Sequence, residues 1–235
     1  MIRKRLIRVS PSIIAVDYRK DNVLNQAIKD IENAGANFVH LDVMDGKFVK
    51  NKTFDYTFVE KVRQKTNMIL DVHLMIKDPE SEIDKYAKAG ADIITVHYES
   101  CRDIITALKK IKSRSLLAGI AINPETPVLK IKDLIESRLV DVINIMSVNP
   151  GACGQAFIPK TIEKISEIRE LSKKIFIEID GGVNTKNSAF LRKLGVNILV
   201  SGSCIFKSKN MKKTINELKG LTFSSRLREF FSKSI

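Results

Sequence analysis

Residues 37–46 read Asn-Phe-Val-His-Leu-Asp-Val-Met-Asp-Gly, and this stretch carries the pattern that predicts the fold. It is a short apolar run that ends in polar side chains and is followed by a glycine, as expected for a buried strand that leads into a turn. Residues 56–65, which come next, have the apolar spacing of an amphipathic helix. The stretch therefore predicts one strand–turn–helix unit.

The same unit recurs along the whole chain. Apolar runs of strand type occupy residues 8–14, 37–43, 69–75, 93–97, 117–122, 142–146, 175–180 and 198–201, and helical stretches occupy residues 22–34, 56–65, 79–89, 102–113, 127–137, 159–172, 185–194 and 210–219. Eight units in 235 residues average about 29 residues each, which fits a closed (β/α)8 TIM barrel in one α/β domain. A doubly wound sheet is the alternative, but no GxGxxG motif follows the first strand and no linker divides the chain.

The composition excludes several classes of protein. Hydrophobic residues make up 44 % of the chain and charged residues 29 %, which excludes a mainly disordered chain, and no apolar run is long enough for a membrane span. The three cysteines form no CxxC pair, so neither a disulfide framework nor a zinc ribbon is indicated, and we expect a reduced, cytoplasmic protein. We expect the barrel in residues 1–220 and a basic extension in residues 221–235.

The chain is strongly basic, with a formal net charge of +13. Aromatic residues make up only 6 % and tryptophan is absent, so surfaces that stack on bases are poorly supplied and we expect no nucleic-acid partner. We favour the interpretation that the positive charge steers a small anionic substrate toward the protein.

Polar side chains interrupt the apolar runs at the carboxyl ends of three strands, which meet at the mouth of a barrel, where its chemistry is located. Period-two geometry places these residues together on one face of their strands: His40, Asp42 and Met44; Asp71, His73 and Met75; Glu178 and Asp180. Each also has a structural interpretation: a histidine as a hydrogen-bonded core residue, an aspartate as a turn former or helix N-cap, and a methionine as core filler. Two histidines and two carboxylates from this set, meeting at one mouth, would supply the nitrogen and oxygen ligands that divalent transition metals prefer. Asp42 and Asp180 would also flank a substrate and exchange protons with it.

Glycine-containing loops follow the last three strands. They are residues 149–155 (Asn-Pro-Gly-Ala-Cys-Gly-Gln), the pair Gly181-Gly182, and Gly202 with Ser203. Barrels often bind a phosphate group with backbone N–H groups from the loops after strands seven and eight. Glycine also simply permits tight turns, so one loop alone would indicate little, but three in succession favour a phosphate site.

Six motifs, in order along the chain, resemble the ribulose-phosphate 3-epimerase family. They are Ser10-Pro-Ser-Ile-Ile14, His40-Leu-Asp-Val-Met-Asp-Gly-Lys-Phe-Val49, His73-Leu-Met75, Asn123-Pro-Glu-Thr-Pro127, Met146-Ser-Val-Asn-Pro-Gly151 and Asp180-Gly-Gly182. The resemblance covers about residues 7–206 and implies a TIM barrel of the ribulose-phosphate-binding type.

The resemblance also implies an activity: a metal-dependent 3-epimerase that interconverts D-ribulose 5-phosphate and D-xylulose 5-phosphate in the pentose phosphate pathway, through a metal-stabilised enediolate. By similarity, Asp42 and Asp180 are the catalytic acid/base pair. The implied ligands of one divalent cation are His40, Asp42, His73 and Asp180, with Zn²⁺ expected first and Fe²⁺, Mn²⁺ or Co²⁺ as alternatives. The implied substrate-binding residues are Ser12, His73, Met44, Met75, Met146, Gly151, Ala152, Cys153, Gly154, Gly182, Val183, Gly202 and Ser203. The expected partners are a phosphosugar and further copies of the chain in a homo-oligomer, with no membrane.

The chain departs from the family pattern in two loops. The family usually has Gly-Phe-Gly-Gly-Gln where residues 151–155 read Gly-Ala-Cys-Gly-Gln, so a large apolar contact is lost. If the backbone of Cys153 is left-handed, we expect strain of about 1–2 kcal/mol there. Lys50 and Asp55 stand where a proline and a glycine are usual, which changes the expected shape of the loop after the second strand.

Two other functions stay open. An epimerase of a six-carbon ketose phosphate, such as allulose 6-phosphate, would resemble this chain in its metal ligands, although Asn149 and residues 181–183 favour the five-carbon sugar. A non-catalytic phosphosugar-binding barrel would account for the charge but would not need the ligand set. A phosphosugar decarboxylase is rejected, because it would have Asp-x-Lys-x-x-Asp where residues 71–75 read Asp-Val-His-Leu-Met.

Overall fold

The computed structural model describes residues 6–221, so that apart from Leu221 the predicted extension 221–235 lies outside the described residues. The strands are β1 (Arg8–Pro11), β2 (Phe38–Met44), β3 (Ile69–Met75), β4 (Ile93–His97), β5 (Leu117–Ile122), β6 (Val142–Met146), β7 (Phe176–Asp180) and β8 (Ile198–Ser201). The α-helices are α1 (Asp21–Asn33), α2 (Tyr56–Arg63), α3 (Ile83–Lys88), α4 (Ile104–Ser113), α5 (Lys132–Glu136), α6 (Glu163–Leu171), α7 (Thr185–Leu194), α8 (Ser203–Phe206) and α9 (Met211–Lys219). Short 3-10 turns occupy Ile13–Ala15, Pro79–Ser81, Val128–Ile131 and Pro159–Ile162.

The strands form one parallel sheet that curls into a barrel. β1 pairs with β8, and neighbouring strands pair in sequence from β8 back to β2. Ser12, directly after β1, bridges to His40 of β2 and so brings the two edge strands together. The (β/α)8 barrel predicted from the sequence is confirmed.

The observed elements differ from the predicted ones mainly at their ends. The strand predicted over residues 8–14 ends at Pro11, which has no N–H to offer the ladder, and the chain then turns so that the Ala15 N–H donates to the Ser12 carbonyl at 3.3 Å. The helices predicted over residues 79–89, 127–137 and 159–172 begin as 3-10 turns. Each of these turns starts at or directly after a proline, which suits a first helical turn but delays regular helical hydrogen bonding.

The inside of the barrel is stacked in layers of different polarity. At the amino ends of the strands, an apolar cluster closes the bottom of the barrel, and its buried members are Phe38, Ile93, Val142 and Ile198. The next inward positions along the strands carry polar side chains that are fully buried, namely Ser10, Asp71, Thr95, Asn144 and Glu178. The carboxyl ends of the strands follow above them. Buried polar groups on an apolar base therefore lead up to the mouth of the barrel.

The outward faces of the strands pack beneath the helices. Leu41, Val72 and Ile94 alternate with inward residues on β2, β3 and β4 and are fully buried in the main hydrophobic core. This burial fixes the strands, and with them the side chains at their carboxyl ends. Among residues 6–221, none of the helices combines the length and the apolar character that crossing a bilayer requires.

Candidate metal centre and active site

Two histidines and two aspartates converge at the mouth of the barrel. One ligand atom from each of His40, Asp42, His73 and Asp180 lies within 4.8 Å of the others. Asp42 Oδ1 is 3.2 Å from both His40 Nε2 and His73 Nδ1, and Asp180 Oδ2 is 3.7 Å and 3.5 Å from the same two nitrogens. The strand register produces part of this cluster directly, because Asp42 and His73 are paired across β2 and β3.

The spacing of these four atoms fits a divalent cation. Ligand atoms bound at about 2.1 Å to a tetrahedral cation lie roughly 3.4 Å from one another, and the nitrogen–oxygen separations here are 3.2–3.7 Å. Two imidazole nitrogens with two carboxylate oxygens suit Zn²⁺, Fe²⁺, Mn²⁺ or Co²⁺. The four residues singled out in the sequence are therefore brought together in an arrangement that suits a divalent metal.

The two aspartates reach the site from different sides of the barrel, Asp42 from β2 and Asp180 from β7. The Asp42 side chain is nearly buried, and its Oδ2 accepts a hydrogen bond of 2.5 Å from the Ser12 hydroxyl. The Asp180 side chain is 15 % exposed, and both carboxylates line the same cavity. Two carboxylates that face one cavity from different strands can take a proton from a bound molecule and return another.

Burial and neighbouring charges set the protonation of the site. Burial alone would raise the pKa of the Asp42 carboxyl, but the charge and hydrogen bonds of His40 and His73 hold this pKa well below its ordinary value. Burial opposes protonation of His40, yet the Asp42 and Asp71 carboxylates raise its pKa well above the usual range. Hydrogen bonds to Asp180 and Asp42 likewise raise the pKa of His73 against the effect of burial. Without a metal the histidines therefore tend to hold protons, which a cation must displace.

A second layer of carboxylates lies next to the cluster. Asp71 Oδ2 is 2.7 Å from His40 Nδ1 and also accepts a hydrogen bond of 2.9 Å from the Ser10 hydroxyl. A carboxylate in this position orients the ring so that Nε2 faces the cluster. Glu178 is fully buried beside Asp71 and His40, and burial followed by the Asp71 charge raises its pKa well above the ordinary value. The sequence pattern placed Asp71 and Glu178 on the same strand faces as the ligands but gave them no role.

A cavity of about 540 Å³ opens above the two aspartates. The predicted substrate-binding residues that line it are Ser12, Met44, Met75, Met146, Gly151, Ala152, Cys153, Gly154, Gly182, Val183, Gly202 and Ser203. His73 is the exception, because it is fully buried behind the cavity wall and reaches it only through Asp42 and Asp180. The wall is thus built from the predicted residues, and their contact with a substrate stays a prediction.

Three methionines form an apolar part of this wall. Met44, Met75 and Met146 stand at the ends of β2, β3 and β6, and each side chain is nearly buried. Met44 and Met75 pack with Val49 and Phe48 from the loop after β2. Such polarisable, weakly coordinating side chains keep water away from the aspartates without competing for a cation that prefers nitrogen and oxygen.

The loop after β6 carries the departure from the family pattern at Ala152 and Cys153. Within the described residues, the positive φ angles of this loop belong to Gly151 and Gly154, at 111° and 83°, and Cys153 is not left-handed. The conditional strain at Cys153 is therefore absent, because the two glycines take up the unusual backbone conformations. The Cys153 side chain is exposed at the cavity wall.

The loop after β2 accommodates its two departures locally. Asp55 has an extended backbone and caps α2, since its side chain accepts a hydrogen bond of 3.0 Å from the Thr57 N–H. Lys50 is exposed. Asn51 Nδ2 donates a hydrogen bond of 2.7 Å to the Gly151 carbonyl, which ties this loop to the loop after β6 at the cavity mouth.

Gly182 is a position where the fold requires glycine. Its φ is 63°, and a Cβ atom there would lie 2.6 Å from the backbone nitrogen of Phe157. The loop after β7 can therefore approach the loop after β6 only because residue 182 has no side chain. Gly182 and Phe157 both line the cavity, so this close approach shapes its wall.

Two polar residues near the site, one at the cavity and one behind it, were not found from the sequence. Lys207 is the only basic side chain among the described residues that line the cavity. It lies four residues after Ser203, with its N–H bonded to the Ser203 carbonyl at 3.0 Å, and this spacing after the predicted Gly202-Ser203 pair is the signal that could have found it. Glu99 lies behind the wall and contacts His97, the third strand-end histidine.

Comparisons with known proteins show the family to which the chain belongs. The model of the "Ribulose-phosphate 3 epimerase family" matches residues 8–206. A ribulose-phosphate 3-epimerase of Bacillus subtilis (strain 168) is 41 % identical over 220 residues, which is 92 % of this chain and 99 % of the relative. The chloroplastic ribulose-5-phosphate-3-epimerase of Arabidopsis thaliana is 40 % identical over 91 % of this chain and 76 % of the relative.

Solved structures with similar folds are more distant in sequence. A 3-hexulose-6-phosphate synthase from Salmonella typhimurium superposes with a TM-score of 0.69 at 14 % identity, over 92 % of this chain and 98 % of the other. A thiamine phosphate pyrophosphorylase from Pyrococcus furiosus has a TM-score of 0.62 at 19 % identity, over 94 % and 97 % of the two chains. At these identities the likeness shows the barrel fold alone.

Proposed function

The chain belongs to the ribulose-phosphate 3-epimerase family and is an enzyme of that family, and we propose that it interconverts D-ribulose 5-phosphate and D-xylulose 5-phosphate through Asp42 and Asp180. The observation that carries this proposal is the pair of aspartates, which reach one cavity from β2 and β7 and share a cluster with two histidines. Inversion of a carbon centre needs proton donors and acceptors on two sides of the substrate.

Proton transfer between these aspartates balances without any other reagent. The C3 hydrogen of the sugar is acidic because the adjacent C2 carbonyl can take up the electrons as an enediolate. In each direction one aspartate starts as a carboxylate and takes the C3 proton, and the other starts as a carboxylic acid and returns a proton to the opposite face. The two then exchange roles for the reverse reaction. The hydrogen bond from Ser12 holds the Asp42 carboxylate in a fixed orientation.

His40, Asp42, His73 and Asp180 would hold the cation. A divalent metal there would supply Lewis-acid stabilisation of the negative charge that develops on the sugar oxygens. The two histidines are fully buried, so their rings cannot turn away from the site without disturbing the packed barrel. Met44, Met75 and Met146 exclude water beside the reacting carbon, which protects a charged intermediate from side reactions.

The opposite end of the cavity suits the phosphate group. Residues 151–154, Gly182, Val183, Gly202 and Ser203 line the cavity there. Lys207 adds a positive charge at the same end, and it forms no ion pair with another described residue. A phosphosugar would then lie with its phosphate near Lys207 and its C3 carbon between the aspartates.

The resemblance also supports finer proposals. We propose that the reaction belongs to the pentose phosphate pathway, that Zn²⁺ is the first candidate among the cations, and that the protein is a cytoplasmic homo-oligomer. The carboxylate and imidazole donors suit Fe²⁺, Mn²⁺ and Co²⁺ as well, so metal analysis of the purified protein decides among them.

A substrate panel tests the proposed function. The metal-loaded protein is assayed with ribulose 5-phosphate and allulose 6-phosphate, before and after removal of the metal with a chelator. We expect epimerisation of the five-carbon sugar with the higher kcat/KM, loss of activity on chelation and recovery on adding the cation back. A higher kcat/KM for allulose 6-phosphate would mean that the six-carbon sugar is the substrate. Binding of either sugar without turnover would favour a non-catalytic barrel.

A further inference from the structure

The third histidine at the barrel mouth, His97, is outside the ligand cluster but contacts it directly. Its Nε2 atom is 2.8 Å from Nε2 of His73, and the two rings stack with their centroids 4.9 Å apart. His97 ends β4 and is fully buried. A separation of this length between two ring nitrogens is a hydrogen bond, so one ring donates and the other accepts.

Glu99 lies on the other side of His97. Its Oε2 atom is 3.2 Å from His97 Nδ1, and its Oε1 atom accepts hydrogen bonds from the Asn123 N–H at 2.8 Å and from the Thr126 hydroxyl. Burial would raise the pKa of Glu99, but the hydrogen bonds from His97 and Thr126 lower it below the ordinary value. Glu99 is therefore a carboxylate, which can only accept hydrogen bonds.

The loop that holds Glu99 is itself anchored. The Nζ atom of Lys164, on α6, donates hydrogen bonds of 2.6 Å to the carbonyl oxygens of Asn123 and Thr126. Lys164 is buried, so these contacts are shielded from water. A continuous chain of hydrogen bonds thus runs from α6 through Glu99 and His97 to the ligand His73.

One assignment of protons satisfies every contact in this chain. Because Glu99 only accepts, His97 must donate to it from Nδ1. The contact between the two Nε2 atoms holds a single hydrogen. A cation at Nδ1 of His73 requires that this hydrogen belongs to His73, so Nε2 of His97 accepts. In the metal-loaded site the lone pair of His73 Nδ1 would then be free for a cation beside Asp42 and Asp180. In the metal-free protein Nδ1 carries a proton as well, and Nε2 donates to His97 in both states.

We propose that His97 and Glu99 are positioning residues that hold His73 in the tautomer whose Nδ1 atom binds the cation. This inference rests on the proposed function only for the presence of a cation at the four-residue cluster. Neither residue touches the cavity, and both act through His73. Partners of this kind on a ligating histidine commonly change metal affinity by roughly 10- to 100-fold.

Two variants interrupt the series of hydrogen bonds from Glu99 through His97 to His73 at different points. In Glu99→Gln the amide has one oxygen and one NH₂ group, so it must turn the NH₂ group either to the donors Asn123 and Thr126 or to the donor His97, and one donor always faces another. His97→Phe keeps a stacked ring but leaves the His73 N–H without an acceptor. Thr126→Val is a milder third variant, because it removes one hydroxyl group and leaves the carboxylate.

Thr95→Val is the matched control. Thr95 lies two residues before His97 on β4, on the same inward face, and is equally buried. Its hydroxyl has no hydrogen-bond partner in the described structure. The replacement is nearly equal in size, so it reports the cost of changing a buried polar residue near the cluster without touching the chain to His73.

The test measures the affinity for Co²⁺ by competition with a chromophoric chelator, together with the visible absorption spectrum of the bound Co²⁺. Each variant is measured at a temperature below the midpoint of thermal unfolding of its metal-free form. We expect Glu99→Gln and His97→Phe to lose roughly 10- to 100-fold in affinity with a changed spectrum, Thr126→Val to lose roughly 2- to 5-fold, and Thr95→Val to bind like the wild type. Wild-type affinity and spectrum in every variant that folds would overturn the inference.

Failure of the inference is distinguishable from failure of the proposed function. Co²⁺ binding needs no substrate, so it is read even if the wild type does not epimerise ribulose 5-phosphate, which would overturn the proposed function alone. A wild type that epimerises, with variants that bind Co²⁺ unchanged, would overturn the inference and leave the function standing. A loss of affinity in Glu99→Gln that exceeds the loss in Thr95→Val at equal folded fraction supports the positioning role.

Discussion

The two ends of the cavity are built on opposite principles. The floor beneath the cavity, which we define as His40, Asp42, His73 and Asp180, consists of ionisable side chains on strand ends, and three of the four are nearly or fully buried. The cavity rim, which we define as residues 149–157, 181–184 and 202–207, consists mostly of loop residues, and most of these are glycine or have small side chains. The floor depends on which residues are present, whereas the rim depends on the path of the backbone.

The supports of the two ends differ in the same way. His40 is held by Asp71 and His73 by His97, so each histidine of the floor has its own buried hydrogen-bond partner. The rim is held by contacts between loops, such as the bond from Asn51 to the Gly151 carbonyl. Substitutions in the floor should therefore impair the reaction or the binding of the cation. Substitutions in the rim should change mainly the apparent affinity for the substrate.

Asp180→Asn is expected to have the largest effect. The amide has nearly the same shape but cannot take or return a proton, so kcat should fall by at least roughly 100-fold. Steady-state epimerisation of ribulose 5-phosphate measures the effect, with metal content and circular dichroism as controls for cation loss and folding. A loaded, folded variant that keeps more than a few per cent of the wild-type rate would contradict the role of Asp180.

The pH dependence of the metal-free protein tests the floor without substrate. The pKa values of His40 and His73 are raised in the folded protein, so protonation of these rings stabilises the fold fully below about pH 6.5 and less as the pH rises through the raised values. The free energy of unfolding of the chelated protein should therefore fall above neutral pH, by up to about 1.4 kcal/mol per pH unit for each proton.

A cation should reverse this trend, because it replaces the protons on both histidines. Urea unfolding between pH 6.5 and 9, with and without the metal, provides the measurement. The stabilisation by metal should increase with pH. An unfolding free energy of the metal-free protein that does not change over this range would show that the two histidines are not protonated.

Lys207→Met is expected to have a moderate effect confined to substrate binding. Removal of the only basic side chain on the cavity wall of the described structure should raise KM for the phosphosugar by roughly 3- to 5-fold and leave kcat unchanged. Lys209→Met is the matched control, since Lys209 is exposed nearby but does not line the cavity. Equal KM values for the two variants would show that Lys207 does not contribute to binding of the phosphate group.

Cys153→Gly is expected to have the smallest effect. The backbone of Cys153 is not left-handed, so a glycine would relieve no strain, and KM should change by less than about 2-fold. The same assay checks the result. A clear decrease in KM would mean that the side chain itself obstructs the phosphate end of the cavity.

The sequence could predict most of the floor because the floor follows from strand periodicity. His40 and Asp42 are two residues apart on β2 and must share a face, and the carboxyl ends of parallel strands must meet in a barrel. Asp42 and Asp180 lie near the carboxyl ends of the second and seventh strands, so their position on different sides of the mouth also followed from the strand order, and the resemblance to one family then implied their catalytic role. No exact loop geometry was needed for either step.

The sequence predicted which loops line the rim, but not the backbone path of these loops or the outer support of the floor, because both depend on contacts between distant segments. The partners of Glu99 come from residues 123–126, which are themselves fixed by Lys164, and no local pattern announces that arrangement. The φ angle of Cys153 depends on how Gly151 and Gly154 turn the loop. The same holds for Lys207, whose approach to the cavity depends on the short helix α8, which the sequence pattern did not predict.

Solvent isotope incorporation tests the two-aspartate account most directly. The metal-loaded protein converts ribulose 5-phosphate in D₂O, and the hydrogen at C3 of the first xylulose 5-phosphate formed is read by mass spectrometry and NMR. If one aspartate carboxylate removes the C3 proton while the carboxylic acid across the cavity, exchanged with solvent, delivers a deuteron, this product carries deuterium at C3. Product that retains the original C3 hydrogen would contradict the account.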